Sequence, residues 1–287
     1  MGTDVSVSVV TQTEVLGKQI ADEAFAVISD YEQKFSRFIP TSELSSLNAS
    51  SSSVVSDEFF AVLKCSRELY RETQGAFNPL VQITRHGYSV DYAEIDESMR
   101  EQNTDTYNTN FNSVVTDAKT KTVTLQSNQR LDFNGMLKGY LATKLAHELK
   151  EKYPDCQGLI INIGGDLHTI GLDEDGKVFV FKLYNPITKT ETPIHLTNTA
   201  LVTSGIYHRM WQTKTGEKHH ILDATGMKNP TSDIVSASVI YKDGAVAEAY
   251  ATLFVVKGFE EAKTIIDTTS CTYWLVQSDG EVLTNIL

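Results

Sequence analysis

The sequence of 287 residues predicts an α+β protein. Segments with the two-residue period of strands and segments with helical spacing are interleaved, without the strict alternation of strand and helix that builds a parallel sheet. A composition of 41% hydrophobic and 22% charged residues is that of an ordinary globular protein. Because no repeat and no shift in composition divides the chain, we expect one domain over residues 1–287.

The N-terminal part predicts one strand and two helices. Valine and serine alternate over residues 5–10, as in a half-buried strand. Apolar residues recur at helical spacing over residues 16–35, which predicts a long amphipathic helix. A loop and a serine-rich stretch occupy residues 39–53, and a second helix follows over residues 56–73, ended by Gly75.

Further strands and helices follow to the C-terminus. Short apolar runs bounded by turn residues predict the strands, and longer periodic segments predict the helices. The predicted strands lie near residues 113–115, 122–125, 159–163, 177–184, 199–203, 218–222 and 234–241, and two more close the chain. The predicted helices lie within residues 133–153, 244–256 and 259–267.

The net charge and the cysteines exclude several classes of partner. The formal net charge is −12, and the lysines and arginines are scattered among acidic residues. Such a chain repels a phosphate backbone, so we expect no nucleic-acid partner. Cys65, Cys156 and Cys271 are far apart and form no CxxC pair, which predicts neither a zinc site nor a disulfide framework.

The printed sequence has no sign of a membrane segment. No apolar run approaches the length of about 20 residues that a membrane span needs. The first residues lack the basic and apolar regions of a signal peptide. We therefore expect a cytoplasmic protein. The alternative is an extracytoplasmic lipoprotein, if a leader precedes the printed residues.

Two segments are candidates for binding an anion. The Gly-Gly-Asp of residues 164–166 ends a predicted strand, where glycines let backbone amides approach a phosphate. A tight turn is the favoured interpretation, since the segment is not the GxGxxG of a dinucleotide fold. Residues 132–140 precede a predicted helix, so amides at its N-terminus, with Lys138 beside them, predict either an anion site or an ordinary helix cap.

Two pairs of residues have side chains that could bind a metal ion or act as a general base. Glu248 and Thr252 lie four apart in a predicted helix, so they project from one face and offer hard oxygen ligands suited to Mg²⁺. Most pairs of this kind bind nothing. His219 and His220 lie in a predicted strand, and His220 would be either a general base near neutral pH or a structural residue.

These motifs, with others in the same order, resemble those of the ApbE family of flavin transferases (FAD:protein FMN transferases). Each motif alone is weak, but together they cover nearly the whole chain. The matching segments are Met1-Gly2-Thr3, Phe35-Ser36-Arg37-Phe38, Ser42-Glu43-Leu44 up to Asn48, Gly75-Ala76-Phe77-Asn78-Pro79, residues 132–140, residues 161–166, residues 203–207, residues 220–223, Thr225-Gly226, residues 236–240 and the helix with Glu248 and Thr252.

The resemblance implies a single compact T-fold-like domain. It also implies a Mg²⁺-dependent transfer of FMN from FAD to a threonine hydroxyl of an acceptor flavoprotein, which releases AMP. By motif, the residues that would contact FAD are Met1, Phe38, Ala76, Phe77, Asn78, Asp132 and Lys138, with Ile221 or Leu222 against it. The Gly135 carbonyl and the Glu248 and Thr252 side chains would hold Mg²⁺. His220 matches the family histidine proposed to assist the acceptor threonine.

Three positions depart from the family's pattern. Glu248 stands where the family usually has aspartate. Residues 223–226, Asp-Ala-Thr-Gly, are one residue shorter than the family's Asp-Pro-x-Thr-Gly and lack its proline. Thr143 stands where the family has an aspartate, five residues after the lysine.

The resemblance also implies a protein partner. The acceptor pattern is roughly Asp/Ser-Gly-Ala/Ser-Thr, and the nearest match here, residues 243–246, ends in a valine without a hydroxyl. We therefore expect no self-flavinylation. We also expect the protein to be a monomer or a homodimer. Two alternatives would use the same residues: a Mg²⁺-dependent FAD pyrophosphatase that yields FMN and AMP, and a non-catalytic FAD-binding paralogue.

Overall fold

The structure, a computed structural model, describes residues 3–81, 107–207, 210–213, 216–226 and 228–286. Over these ranges the elements, in chain order, are β1 (Val5–Val10), α1 (Glu14–Phe35), α2 (Glu43–Ser50), β2 (Ser52–Val54), α3 (Asp57–Glu72), β3 (Val115–Asp117), β4 (Thr122–Thr124), α4 (Leu137–Lys152), β5 (Gly158–Ile163), β6 (Asp166–Gly171), β7 (Phe179–Tyr184), β8 (Glu191–Leu196), β9 (Thr199–Gly205), β10 (Met210–Thr213), β11 (Gly216–His219), β12 (Ile234–Tyr241), α5 (Gly244–Ile265), β13 (Thr272–Gln277) and β14 (Val282–Thr284). Met1, a predicted FAD contact, lies outside the described residues.

An antiparallel sheet of seven strands is the central layer. Its hydrogen-bonded order is β1-β5-β6-β9-β12-β13-β14. Between β5 and β6, Gly164 and Gly165 form a two-residue turn with φ of +66° and +96°, which glycine adopts without a Cβ penalty. The turn pairs Asp166 with Ile163 at the end of the sheet. The prediction of a tight turn at this motif is confirmed.

Three helices cover one face of the sheet. Helix α1 packs on β1, α4 on β5 and β6, and α5 on β9 and β12. In α1 the side chains of Ile20, Ala24 and Ile28 recur every four residues and are buried, which confirms the predicted amphipathic helix. Thr13 begins this helix, because its hydroxyl accepts a hydrogen bond from the Leu16 N–H.

The β7–β8 hairpin covers the opposite face. Leu183 of β7 and Ile194 of β8 pack with Leu167 of β6 and Trp274 of β13 in one buried cluster. Successive side chains of a strand point to opposite faces, so Leu167 faces the hairpin while its neighbour His168 faces α4. The central strands are therefore buried on both faces. Strands and helices are interleaved without regular alternation, which confirms the α+β prediction.

The serine-rich stretch contains a helix that the sequence does not predict. The loop expected from residue 39 ends at Ser42, and Glu43–Ser50 forms α2, for which the sequence gives no prediction. Ser42 caps this helix by accepting a hydrogen bond from the Ser45 N–H at 2.9 Å. Leu44 and Leu47 are fully buried against the core. Two apolar residues among serines are too few to show a helical period, although their burial stabilises the helix.

Other boundaries differ where burial hides the pattern. The sequence does not predict β6, because polar side chains such as His168 and Thr169 are buried there beside apolar ones, and the two-residue period is lost. It also does not predict β8 or β10, and the strand expected over residues 218–222 ends at His219. The two C-terminal helices meet at Gly258, whose φ of 74° and ψ of 169° interrupt α5.

Within the described ranges, no helix combines the length and the apolar character that crossing a membrane requires.

Helices α4 and α5 cross at two glycines. A Cβ on Gly139 would lie 2.2 Å from the Gly244 carbonyl oxygen, and a Cβ on Gly244 would lie 2.4 Å from the Gly139 carbonyl oxygen. Only glycine at both positions lets the two backbones approach this closely. The crossing also lets the Gly139 N–H donate a hydrogen bond to Oε2 of Glu248 at 2.9 Å.

We expect Gly139→Ala to lower the free energy of unfolding by about 1–3 kcal/mol, since the added methyl group must push two backbones apart. The matched control is Gly17→Ala in α1, where the new methyl group meets only the Thr11 hydroxyl at 3.2 Å. That change should raise stability by up to about 1 kcal/mol through helix propensity. Urea denaturation of both variants checks the prediction. Equal effects would contradict it.

A buried histidine lies between β6 and α4. His168 is fully buried, and its Nδ1 lies 3.0 Å from the Thr143 hydroxyl, which accepts a hydrogen bond from the Gly244 N–H at 2.8 Å. The His147 ring lies edge-on to it, with centroids 5.0 Å apart. Burial lowers the pKa of His168 from 6.5 to about 4, and the neighbouring His147 lowers it further in the same direction.

We expect this histidine to make the protein sensitive to acid. The unfolded chain binds the proton near pH 6.5 and the folded chain near pH 4, so the unfolded state holds more protons between these values. The free energy of unfolding should therefore fall by about 2 kcal/mol from pH 7 to pH 5 through His168 alone. Denaturation at both pH values should show a smaller loss for His168→Gln; an equal loss in both proteins would refute the assignment.

Candidate active site

A cavity of about 460 Å³ opens where the main sheet, α4 and α5 meet the loops after α1 and α3. Every predicted site residue within the described ranges lines this cavity. These residues are Phe38, Ala76, Phe77, Asn78, Asp132, Gly135, Lys138, His220, Ile221, Leu222, Glu248 and Thr252. Residues from distant parts of the sequence thus form one continuous wall.

The charged centre of the cavity consists of one ammonium and two carboxylates. Lys138 Nζ donates hydrogen bonds to Asp166 Oδ2 and, at 2.9 Å, to Glu248 Oε1. The other oxygens accept from backbone: Glu248 Oε2 from the Gly139 N–H at 2.9 Å, and Asp166 Oδ1 from the Thr203 N–H at 3.3 Å. The side chains of Asp166 and Glu248 are 3% and 4% exposed, and that of Lys138 is 21% exposed.

Each member of this centre is positioned by a different element. Lys138 lies in the first turn of α4, Asp166 begins β6 directly after the two-glycine turn, and Glu248 lies in the second turn of α5. The Gly-Gly-Asp motif alone does not predict Asp166 as a site residue. A two-residue hairpin turn places the next residue at the end of the sheet, and this geometry is the signal that could have found it.

Hydroxyl groups continue the wall beside Glu248. Thr252 lies one helical turn further along α5, and both residues line the cavity as their spacing predicts. The hydroxyls of Thr252 and of Ser204 in β9 lie 3.4 Å apart. The Glu248 side chain is long enough to reach both Lys138 and the Gly139 N–H.

This donor set fits a hard divalent cation. Two buried carboxylates face one ammonium, which leaves the wall with excess negative charge, and hydroxyl oxygens lie next to it. Oxygen ligands of this kind suit Mg²⁺. Within the part of the chain that the structure describes, no three His, Cys, Asp or Glu side chains could together hold a metal ion. A cation here would therefore use hydroxyl, carbonyl or ligand oxygens as well.

A second ion pair lies at another part of the cavity. Arg37 donates a hydrogen bond from Nη1 to Asp132 Oδ2 at 2.8 Å, and both side chains are 10% exposed. The guanidinium also lies over the Phe38 ring, 4.6 Å from its centroid. Asp132 Oδ1 accepts from the Asn134 N–H at 3.0 Å, which fixes the carboxylate in the loop before α4. The sequence does not predict Arg37 as a site residue, because its partner is 95 residues away.

The loop after α3 forms an apolar part of the wall. Ala76 and Phe77 are buried, and the Phe77 ring lies so close to Gly135 that a Cβ there would be 3.3 Å from it. Asn78 uses its amide to hold the backbone, since Nδ2 donates to the Thr109 carbonyl at 2.9 Å and Oδ1 accepts from the Leu80 N–H at 3.0 Å. The structure thus gives Asn78 a positioning role in this loop.

His220 lies at the cavity directly after β11, outside the strand that the sequence predicts for it. Ile221 and Leu222 follow as buried residues of the same wall. Asn229, which the sequence analysis did not consider, closes the segment: its Nδ2 donates to the carbonyls of His219 and Ile221, each at 2.8 Å. A hydrogen bond from the Gly226 N–H to the Asp223 carbonyl at 2.8 Å closes the turn that follows.

The fold is that of solved flavin transferases. Pseudomonas stutzeri flavinyl transferase ApbE in its apo form superposes with a TM-score of 0.81 at 18% identity, over 99% of this chain and 91% of that one. The ApbE protein from Thermotoga maritima superposes with a TM-score of 0.84 at 21% identity, over 98% of this chain and 93% of that one. These likenesses confirm the predicted fold.

The sequence comparison defines the family. The profile described as "ApbE family" matches residues 1–274, so the chain belongs to the ApbE family. A relative from Klebsiella pneumoniae, named FAD:protein FMN transferase, is 26% identical over 91% of this chain and 81% of its own length. A relative of the same name from Treponema pallidum is 26% identical over 85% of this chain and 73% of its own length.

Proposed function

We propose that this chain is a FAD:protein FMN transferase that moves FMN from FAD to a threonine hydroxyl of an acceptor flavoprotein and releases AMP. The observation that carries the proposal is the cavity itself, in which the buried cluster of Lys138, Asp166 and Glu248 adjoins aromatic and apolar walls. Family membership and the names of the Klebsiella and Treponema relatives support it.

The proposed substrate matches the composition of the walls. FAD has two planar ring systems joined by a pyrophosphate, so it needs apolar surfaces on either side of a polar centre. We assign Phe38, Phe77, Ile221 and Leu222 to the rings, Lys138 to the pyrophosphate and Asp132 to a hydrogen-bonding edge. Ala76, Asn78 and Met1 complete the proposed FAD contacts.

The proposed cofactor is Mg²⁺, held by the Glu248 and Thr252 side chains and the Gly135 carbonyl. The hydroxyl and carboxylate oxygens of this wall and its excess negative charge support that assignment. When bound, the ion would supply charge neutralisation and a template for the phosphate oxygens. Neutralisation matters in this chain, because its net charge is −12.

The proposed reaction is an in-line displacement at the phosphorus of the FMN half. A bond forms between this phosphorus and the threonine oxygen, and the bond to the bridging oxygen breaks, so that AMP leaves with that oxygen. His220 takes the threonine proton as a general base. The enzyme's main contributions are the positions of the two reactants and the electrostatic environment.

Several further properties are part of the proposal. We propose that residues 1–287 form one domain, that the protein acts in the cytoplasm as a monomer or a homodimer, and that it binds no nucleic acid. The acceptor partner would present the pattern Asp/Ser-Gly-Ala/Ser-Thr.

A mass-spectrometric assay tests the proposal. The protein is mixed with FAD, Mg²⁺ and a flavoprotein domain that carries Ser-Gly-Ala-Thr, with EDTA as the control. We expect the acceptor threonine to gain the mass of FMN less water, and EDTA to abolish the gain. Release of AMP without labelling would replace the proposal by the pyrophosphatase, and bound FAD without AMP would replace it by a binding paralogue.

For His220→Ala we expect transfer to slow by about 10²–10⁴-fold with little change in FAD affinity, because a general base acts only on the attacking hydroxyl. Rates come from the mass-spectrometric assay and affinities from quenching of flavin fluorescence. The control is His195→Ala, since His195 is exposed on β8 and does not line the cavity. Parallel losses of rate and affinity would make His220 a binding residue.

A further inference from the structure

We infer that Lys138 is an exchangeable internal cation, which neutralises Glu248 until a divalent ion takes its place, and that Asp166 is the positioning residue that retains Lys138 afterwards. The inference concerns the ligand-free chain and its affinity for a divalent ion. Its extension to FAD rests on the proposed function.

The hydrogen bonds distinguish fixed members of the cluster from a movable one. Asp166 is held by the backbone of β9 and Glu248 by the backbone of α4, so each carboxylate keeps its place when Lys138 leaves. Lys138 has the flexible four-carbon stem of lysine, and its side chain is the most exposed of the three. The ammonium is therefore the member that can move.

The charges of the cluster favour displacement of the Lys138 ammonium from Glu248 by a divalent ion. Two buried carboxylates and one ammonium leave a net charge of about −1 on the wall, and buried charge without full compensation is unfavourable. A divalent ion at Glu248 and Thr252 displaces the ammonium from Glu248, but the ammonium keeps its hydrogen bond to Asp166. The net charge of the wall then becomes about +1, so a phosphate ligand is favoured only after the ion has bound.

Asp166 and Lys138 thus have opposite effects on the ion. Lys138 competes with the ion for Glu248, so loss of its charge strengthens ion binding. Asp166 gives the displaced ammonium a second carboxylate. Without that carboxylate, Lys138 would pair with Glu248 alone. An ion that binds Glu248 would then break this pair, and the displaced ammonium would have no other carboxylate to bond.

The test measures binding of Mn²⁺ alone, without any nucleotide, by electron paramagnetic resonance of the free ion. We expect Lys138→Met to bind Mn²⁺ about tenfold more tightly than the wild type, and Asp166→Asn to bind it about tenfold more weakly. Lys138→Arg keeps the charge and should restore an affinity near that of the wild type. The matched control is Lys144→Met on the same helix, where Lys144 pairs with Glu148 outside the cavity and its loss should change nothing.

Circular dichroism confirms that each variant is folded. If Asp166→Asn does not fold, Lys138→Met and Lys138→Gln decide the matter alone, because both remove only the competing cation. Unchanged or weaker Mn²⁺ binding in folded Lys138→Met and Lys138→Gln overturns the inference.

The extension to FAD has its own measurement. Flavin fluorescence should show that Mn²⁺ raises the affinity of the wild type for FAD, and equal affinity with and without the ion overturns the extension. These results are independent of FMN transfer. If the wild type does not transfer FMN but the variants show the expected changes in Mn²⁺ affinity, the proposed function is rejected and the ion exchange is kept. If the wild type transfers FMN but the Mn²⁺ affinities do not change as expected, only the ion exchange is rejected.

Discussion

The hydrogen-bonded contact of Lys138 with Asp166 and Glu248 determines how tightly the surrounding elements must meet. It joins α4, β6 and α5, which come from three separate parts of the chain. For Glu248 to accept from the Gly139 N–H as well, the two helices must cross at backbone contact, and the facing glycines make that possible. The two-glycine turn before β6 places Asp166 beside Lys138, so that β6 is the third element of the contact. The glycines at the α4–α5 crossing and before β6 therefore let these elements meet at the charged centre.

The same contact explains why glutamate, with one methylene more than aspartate, suits position 248. The extra methylene carries the carboxylate far enough from α5 to bond both Lys138 and the first turn of α4. A shorter side chain at this position would leave one of these donors without its acceptor, at a cost of about 1–3 kcal/mol for a buried group. Glu248 thus bonds α5 to α4 while its carboxylate stays at the cavity.

Local patterns in the sequence predict most of the fold and most residues of the candidate site, and long-range contacts account for the rest. The alternation of β1, the apolar period of α1 and the motifs before α4 and in α5 are all visible within short windows. Strand β6 is not, because burial on both faces removes its period, and α2 shows only two apolar residues. The pairing of Arg37 with Asp132 joins residues 95 apart, so no local pattern reports it. The sequence shows which residue types are present, but only the folded structure shows which residues they contact.

The pairing of charges also bears on how an acidic protein can accept an anionic ligand. Among the described residues that line the cavity there is one lysine, Lys138, and one arginine, Arg37. Each is hydrogen-bonded to a buried or nearly buried carboxylate. Their charge is therefore largely offset before any ligand arrives, and the net charge of −12 adds no attraction. Under the proposed function, affinity for the pyrophosphate of FAD would therefore come from the charge of a bound ion. The proposed divalent ion at Glu248 would supply this charge, so FAD would bind more tightly once the ion is in place.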